Sequence, residues 1–191
     1  AGERVVVVGN LRPEKNHVGT VRAIARVASI RPTVHLLCAG STANDEVVRG
    51  VLGTASELGV ADRVSLLGVR TDVAEVLAGC DVGVLFSLAE GFPVALLEYG
   101  RAGLPAVASD VGHVGAVAQL TQGVRVVAPG DEQALADEIL ELLGDPELRE
   151  NLGGDFQNTV KHRFSAEAVI PTVLERYRAV MTSRARSSGR V

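Results

Sequence analysis

The sequence has few of the residues that nucleic-acid binding, zinc binding or membrane insertion would need. Only 3% of its 191 residues are aromatic, which argues against the exposed rings on which single-stranded nucleic acid stacks. The two cysteines, Cys38 and Cys80, form no Cys-x-x-Cys pair, so a zinc knuckle is not supported and two reduced, buried thiols are expected. Because there is neither a membrane-length apolar run nor a signal peptide, a cytoplasmic location is expected.

Positive charge is also scarce. The chain carries 19 Lys and Arg residues against 23 Asp and Glu residues, for a net charge of -4. Since a duplex-binding surface is normally basic, nucleic acid is not an expected partner. No Asp-x-Asp pair occurs, so a metal-bridged diphosphate is not supported and no metal site is expected.

Short β-branched runs alternate with segments of helical spacing along the whole chain. This alternation predicts an α/β fold, a Rossmann-like doubly wound parallel sheet of about six strands with helices on both faces. The predicted strands cover residues 4–8, 34–39, 63–67, 82–86, 105–108 and 124–127. Ligands of such sheets bind beyond the carboxyl ends of the strands, so the residues that follow the strands are the candidate site.

The segment SLAEGFPVALLE (residues 87–98) follows one of these strands and opens a helix. The amides of Gly91 and Phe92 can point outward there, and a helix N-terminus favours anions. Glu90 and Glu98 would repel phosphate, so accepting hydrogen bonds from hydroxyl groups suits them better. A nucleotide-sugar, with phosphates between two sets of sugar hydroxyls, meets both demands. The alternative is that Glu90 caps a helix and Glu98 is an ordinary solvated carboxylate.

A cationic segment, GNLRPEKN (residues 9–16), follows the first strand. Lys15 can neutralise a diphosphate as a compact charge, and Arg12 can grip it bidentately. The segment is neither a dinucleotide fingerprint nor a P-loop, because the required glycines and the Gly-Lys-Ser/Thr run are missing. Solvated loop charges are the alternative. Among the histidines, His17 is expected on a helix surface, and His113 is a weak candidate to face the cleft.

The segments GNLRPEKN, EGFPVALLE and GLPAVASDVGH together resemble the C-terminal, donor-binding domain of retaining GT-B glycosyltransferases of the group 1, family 4 type. The resemblance covers essentially the whole chain. It implies that Glu90 contacts the donor sugar, Glu98 the ribose and Lys15 the diphosphate. The further donor contacts that it implies are Gly9, Asn10, Val69, Arg70, Gly91, Phe92, Pro93 and Val94, of which Val69 and Arg70 would touch the base.

One position departs from the family pattern. The family commonly has arginine directly after the glycine of the first segment, where this sequence has Asn10. Arg12 lies two residues on and projects to the same side of an extended loop, so we predict that Arg12 supplies the missing charge. In the implied reaction Glu90 orients the sugar, while Lys15 and Arg12 stabilise the departing diphosphate. None of these three catalytic candidates is assigned as a nucleophile.

The resemblance also implies half of a two-domain, metal-independent hexosyltransferase with no cofactor besides its nucleotide-diphosphate sugar substrate. Residues 1–181 are expected to form one nucleotide-sugar donor-binding domain, and residues 182–191 a disordered basic tail. The N-terminal acceptor domain is expected to be absent, so the chain alone would not transfer sugar. Membrane association is expected only through that missing part, at the cytoplasmic face. The helix predicted over residues 166–181 is a candidate surface for self-association.

Other interpretations stay open at this level. A nucleotide-sugar 2-epimerase uses a related two-domain architecture, although EGFPVALLE favours the transferase. A non-catalytic nucleotide-sugar-binding domain is a second alternative. A third is an unrelated doubly wound domain, such as a phosphate-binding regulator, but GNLRPEKN lacks the acidic cluster that this function would need. The sugar, the base and the acceptor cannot be read from the sequence.

Overall fold

The computed structural model describes residues 2–188, with side chains described as far as residue 181. Six strands form one sheet in the order β3-β2-β1-β4-β5-β6, and every neighbouring pair is parallel. The strands are β1 (Arg4–Val8), β2 (His35–Ala39), β3 (Val64–Gly68), β4 (Val82–Leu85), β5 (Ala106–Ser109) and β6 (Val124–Val127). The predicted Rossmann-like doubly wound sheet is therefore confirmed.

Helices connect the strands and cover both faces of the sheet. They are α1 (His17–Ile30), α2 (Asp45–Glu57), α3 (Val73–Ala78), α4 (Val94–Arg101), α5 (Val114–Ala118), α6 (Glu132–Gly144), α7 (Pro146–Arg163) and α8 (Ala166–Ser188). Helix α8 continues past Met181, where the sequence predicted that it would end. The last residues of the predicted basic tail, 189–191, lie outside the described residues. No helix in the described part of the chain combines the length and the apolar character that crossing a membrane requires.

Two apolar cores lie on opposite faces of the sheet. Val5 and Val7 of β1 pack in the core formed with α1, α2 and α6. Val6 packs in the other core, with α3, α4, α5 and α7. Successive side chains of a strand point to opposite faces, so a strand covered on both sides needs a continuous apolar run. The RVVVV sequence of β1 meets this requirement.

Close packing holds α4 in one position between the sheet and α7. A Cβ atom added at Gly83 of β4 would lie 2.7 Å from the ring of Tyr99, and one added at Gly100 would lie 2.5 Å from the side chain of Val160. Real Cβ atoms essentially never come so close to other heavy atoms. The absence of side chains at these two glycines therefore lets α4 sit tightly against its neighbours, which positions the N-terminus of α4 at the carboxyl edge of the sheet.

Candidate functional site

A cavity of about 380 Å³ opens at the carboxyl edge of the sheet, between the segments that follow β1 and β4. The strand order reverses between these two strands, and doubly wound folds bind their ligands at such a switch point. The predicted site residues that line this cavity are Gly9, Asn10, Arg12, Lys15, Glu90, Phe92, Pro93, Val94 and Glu98. Val8, Leu85 and Ala95 complete the lining.

Lys15 and Glu90 form an ion pair inside the cavity. The Lys15 Nζ lies 2.5 Å from Glu90 Oε1, and the Ser87 hydroxyl donates to the same oxygen at 2.7 Å. The Glu90 side chain is 8% exposed and that of Lys15 is 24% exposed. Glu90 Oε2 accepts no hydrogen bond from any residue that the structure describes. One oxygen of Glu90 is therefore anchored to the protein, and the other can accept from a ligand hydroxyl.

A backbone hydrogen bond joins the two segments that carry this pair. The amide of Leu88 donates to the carbonyl of Glu14 at 2.8 Å. Pro13–Lys15 forms a single 3-10 turn, and Asn16 then caps α1 in a left-handed conformation with its side chain accepting from Gly19. This local geometry presents Lys15 to the cavity directly ahead of α1.

Two free amides lie in the loop just before α4, that of Phe92 on the cavity lining and that of Gly91 next to it but outside the lining. Pro93 precedes the helix and provides no side-chain cap. Across residues 2–188, the amides of Gly91 and Phe92 find no hydrogen-bond acceptor. Free amides and the helix dipole together favour an anion at this position.

Asn10 and Arg12 both line the cavity, but their side chains have different surroundings. Asn10 Oδ1 accepts from the amide of Ser41 at 2.9 Å, which ties Asn10 to the loop after β2. The Arg12 side chain is 62% exposed and lies 3.9 Å from the carboxylate of Glu14. Arg12 is thus a solvated charge at the rim, on the same cavity as Asn10.

Glu98 also lines the cavity and is half-buried. Burial raises the pKa of its carboxyl group above the usual range. Its carboxylate has no hydrogen-bond partner among the described residues, so both oxygens are available to a ligand. Within the described part of the chain, no three His, Cys, Asp or Glu side chains are grouped so that they could hold a metal ion.

Val69 and Arg70 do not line this cavity. Val69 is 75% exposed. Arg70 makes two hydrogen bonds to the carboxylate of Asp72, and these bonds lower the pKa of Asp72. Asp72 precedes α3 but makes no capping hydrogen bond with its side chain.

His17 is a correction to the sequence analysis. It was expected on a helix surface, but only 1% of its surface is exposed. Burial and the positive charge of Lys15 lower the pKa of His17 to about 4, so the ring is neutral near pH 7. The apolar residues that follow His17 in α1 face the core at three-residue steps, and His17 lies on that same buried side.

Tyr99 supports the site and was not singled out in the sequence. Its hydroxyl accepts from the amide of Val8 at 2.8 Å and donates to the carbonyl of Val84 at 3.0 Å. The ring is fully buried. Tyr99 therefore joins α4 to the ends of both central strands. The only local signal was an aromatic residue next to Glu98 on a helix.

Tyr99→Phe is expected to lower the free energy of unfolding by about 1–3 kcal/mol, because it leaves a backbone amide and a carbonyl without their partner. Chemical denaturation of the two proteins measures this loss. Tyr177→Phe is the matched control, since Tyr177 on α8 is 70% exposed and surface changes stay within about 0.5 kcal/mol. Equal stability of the Tyr99 variant and the wild type would contradict a supporting role for this hydroxyl.

The chain is similar to glycosyltransferases in sequence and in structure. The family model described as glycosyl transferases group 1 matches residues 2–145. N-acetyl-alpha-D-glucosaminyl L-malate synthase of Bacillus anthracis is 30% identical over 169 residues, which cover 88% of this chain and 43% of that protein. The chain therefore spans less than half the length of this relative.

Solved structures show the same fold. Sucrose-phosphate synthase from Thermosynechococcus elongatus superposes with a TM-score of 0.86 at 27% identity, over 95% of this chain and 46% of that one. Anabaena Alr3699/HepE, solved in complex with UDP and glucose, superposes with a TM-score of 0.85 at 23% identity, over 92% of this chain and 48% of that one.

Proposed function

Since the chain belongs to the group 1 glycosyl transferases, we propose that it is the donor-binding domain of a retaining enzyme that transfers a hexose from a nucleotide-diphosphate sugar. The observation that carries this proposal is the composition of one cavity. It combines the ammonium group of Lys15, two carboxylates with free oxygens and the unpaired amide of Phe92 just before α4. A ligand that carries both anionic groups and hydroxyl groups could bind all of them at once.

The donor is proposed to lie along the cavity with its diphosphate in the middle. Lys15 and the amides of Gly91 and Phe92 would bind the phosphates, with Arg12 adding charge from the rim. Glu90 Oε2 would accept from a hydroxyl of the sugar, and the half-buried Glu98 from the ribose. HepE, whose structure contains UDP and glucose, supports a ligand of this kind. Val69 and Arg70 are proposed to contact the base from outside the cavity.

The Lys15–Glu90 ion pair joins a residue proposed to stabilise the leaving group to a residue proposed to orient the sugar. When the bond between sugar and diphosphate breaks, negative charge grows on the leaving group and positive charge on the sugar. Lys15 would stabilise the first, while Glu90, held by Lys15 and Ser87, would keep the sugar oriented. No nucleophile is assigned among these residues. Metal-independent charge neutralisation by Lys15, Arg12 and the α4 dipole is part of this proposal.

Transfer is proposed to need an acceptor-binding domain outside these 191 residues. The chain spans 43% of the B. anthracis relative, and closure of two domains would exclude water from the cavity. The chain alone would bind the donor without transferring its sugar. A cytoplasmic location, with any membrane association through the acceptor-binding part, belongs to the same proposal.

Calorimetric titration with UDP, GDP and ADP tests the donor-binding function. We expect saturable binding of one nucleotide, and Glu98→Gln should weaken it by about tenfold, because hydrogen bonds to a charged group contribute about 1.5–3 kcal/mol. Glu57→Gln, at an exposed position on α2, is the matched control and should bind like the wild type. A folded chain that binds none of the three nucleotides would contradict the proposal.

A further inference from the structure

The turn between β5 and α5 (residues 110–113) packs directly against the loop that carries Glu90. Gly112 adopts a φ of +57°, and a Cβ atom there would lie 2.1 Å from the carbonyl oxygen of Glu90. His113, the next residue, contacts the carbonyl oxygen of Gly91 twice. Its backbone amide donates at 3.2 Å, and its ring Nδ1 lies at 3.0 Å. A carbonyl oxygen only accepts hydrogen bonds, so Nδ1 carries the proton.

This anchoring sets the direction of an amide beside the cavity. The carbonyl and the N–H of one trans peptide unit point in opposite directions. Because the Gly91 carbonyl is held toward His113, the Phe92 amide in the same peptide unit points away from the turn. Phe92 lines the cavity, and its amide has no acceptor among residues 2–188. The orientation of a free donor at the cavity thus depends on a residue that does not line it.

We propose that His113 is a positioning residue that aims the Phe92 amide at the diphosphate of the nucleotide donor. This inference rests on the proposed donor-binding function. His113 acts through the Gly91 carbonyl, since His113 itself is absent from the cavity lining. An amide held in place before the ligand arrives loses less freedom on binding, which is the general advantage of preorganisation.

Two features of His113 have to be separated by experiment. The ring donates from Nδ1, and it also packs beside the ring of Phe92, with 6.2 Å between the ring centroids. His113→Asn keeps an N–H donor at the same number of bonds from Cα but removes the ring. His113→Phe keeps an aromatic ring but removes the donor. The proposed role requires the donor, whereas a purely packing role requires the ring.

The test is calorimetric titration of the wild type, both His113 variants and Lys15→Met with UDP, GDP and ADP. The nucleotide that the wild type binds should bind to His113→Phe about threefold to tenfold more weakly. This loss is the equivalent of one hydrogen bond. His113→Asn should stay within about twofold of the wild type, because the donor is restored. Undiminished affinity in His113→Phe, or an equal loss in both His113 variants, would overturn the positioning role.

Lys15→Met distinguishes a failure of the His113 assignment from a failure of the donor-binding function. If it weakens nucleotide binding while the His113 variants lack the expected pattern, the assignment of His113 fails and the donor-binding function stands. If the folded wild type binds none of the three nucleotides, the donor-binding function fails and the role of His113 fails with it. Thermal melting of each variant shows that the compared proteins are folded.

Discussion

Lys15→Met is expected to weaken the binding of a nucleotide diphosphate by at least tenfold. Methionine has a similar length and no charge, so the change removes the cation with little change in volume. Lys15 lines the cavity, and its Nζ contacts the carboxylate of Glu90, the residue that directly precedes the free amides of Gly91 and Phe92. A charge-assisted hydrogen bond contributes about 1.5–3 kcal/mol, which corresponds to a factor of about ten or more. Calorimetric titration measures the loss.

The same substitution also affects stability through Glu90. With Lys15 gone, a carboxylate that is 8% exposed keeps Ser87 as its one partner among the described residues. We expect the free energy of unfolding to fall by about 2 kcal/mol, less than for a fully buried pair because Lys15 is partly solvated. Adding Glu90→Gln to Lys15→Met removes the unpaired charge and should restore most of this stability.

The double variant also tests how Lys15 acts. If Lys15 contacts the diphosphate, Lys15→Met/Glu90→Gln should regain stability and still bind the nucleotide weakly. Recovered nucleotide binding would mean that Lys15 serves only to neutralise Glu90. Arg12→Met removes the positive charge at the rim of the cavity, and its nucleotide affinity is compared with that of Lys15→Met. An unchanged affinity in Arg12→Met, beside a loss in Lys15→Met, would contradict the view that Arg12 supplies the charge missing at Asn10.

Gly112→Ala is expected to lower the free energy of unfolding by about 3 kcal/mol and to weaken nucleotide binding. Two destabilising effects add at this position. The left-handed backbone, with a φ of +57°, costs about 1 kcal/mol for alanine. The added methyl group would also meet the Glu90 carbonyl oxygen at 2.1 Å, and such overpacking typically costs about 1–3 kcal/mol. Relief of this clash has to displace this turn or the loop that carries Glu90, and either movement changes the contact between His113 and Gly91.

Gly59→Ala is the control that measures the destabilisation caused by a left-handed backbone conformation alone. Gly59 has a φ of +69°, and a Cβ atom added there would have no other atom within 4 Å. It follows α2, so it lies at the opposite edge of the sheet from the cavity. This control should lose about 1 kcal/mol and should bind the nucleotide like the wild type. Equal losses in both variants, measured by chemical denaturation, would contradict the close approach of the two loops.

Local sequence patterns predict the fold along most of the chain. The β-branched runs predicted all six strands, because a strand buried on both faces needs a continuous apolar sequence. The motifs that follow the strands predicted the family, and the match of the group 1 model over residues 2–145 confirms it. That match also removes the alternative of an unrelated doubly wound regulator.

One error and one omission share a cause, which is that burial depends on partners elsewhere in the chain. His17 was expected on a helix surface, yet only 1% of its surface is exposed in the folded chain. Tyr99 was not distinguished from other helical aromatics, because its two hydrogen-bond partners lie in β1 and β4. The end of α8 was placed at Met181 because the following residues are small and polar, whereas the structure continues the helix to Ser188.

The sequence by itself determined the layers of the fold, the family and the two segments from which the site is built, since periodicity, glycines and helix starts are local properties of the chain. Only the tertiary structure decided how those segments meet. Lys15 and Glu90 are 75 residues apart in the sequence, and they pair because β1 and β4 are neighbours in the sheet. His113 reaches Gly91 because β5 lies beside β4. Strand order brings distant residues within hydrogen-bonding distance, and the free energy that selects this order comes from burying two apolar cores rather than from the site residues themselves.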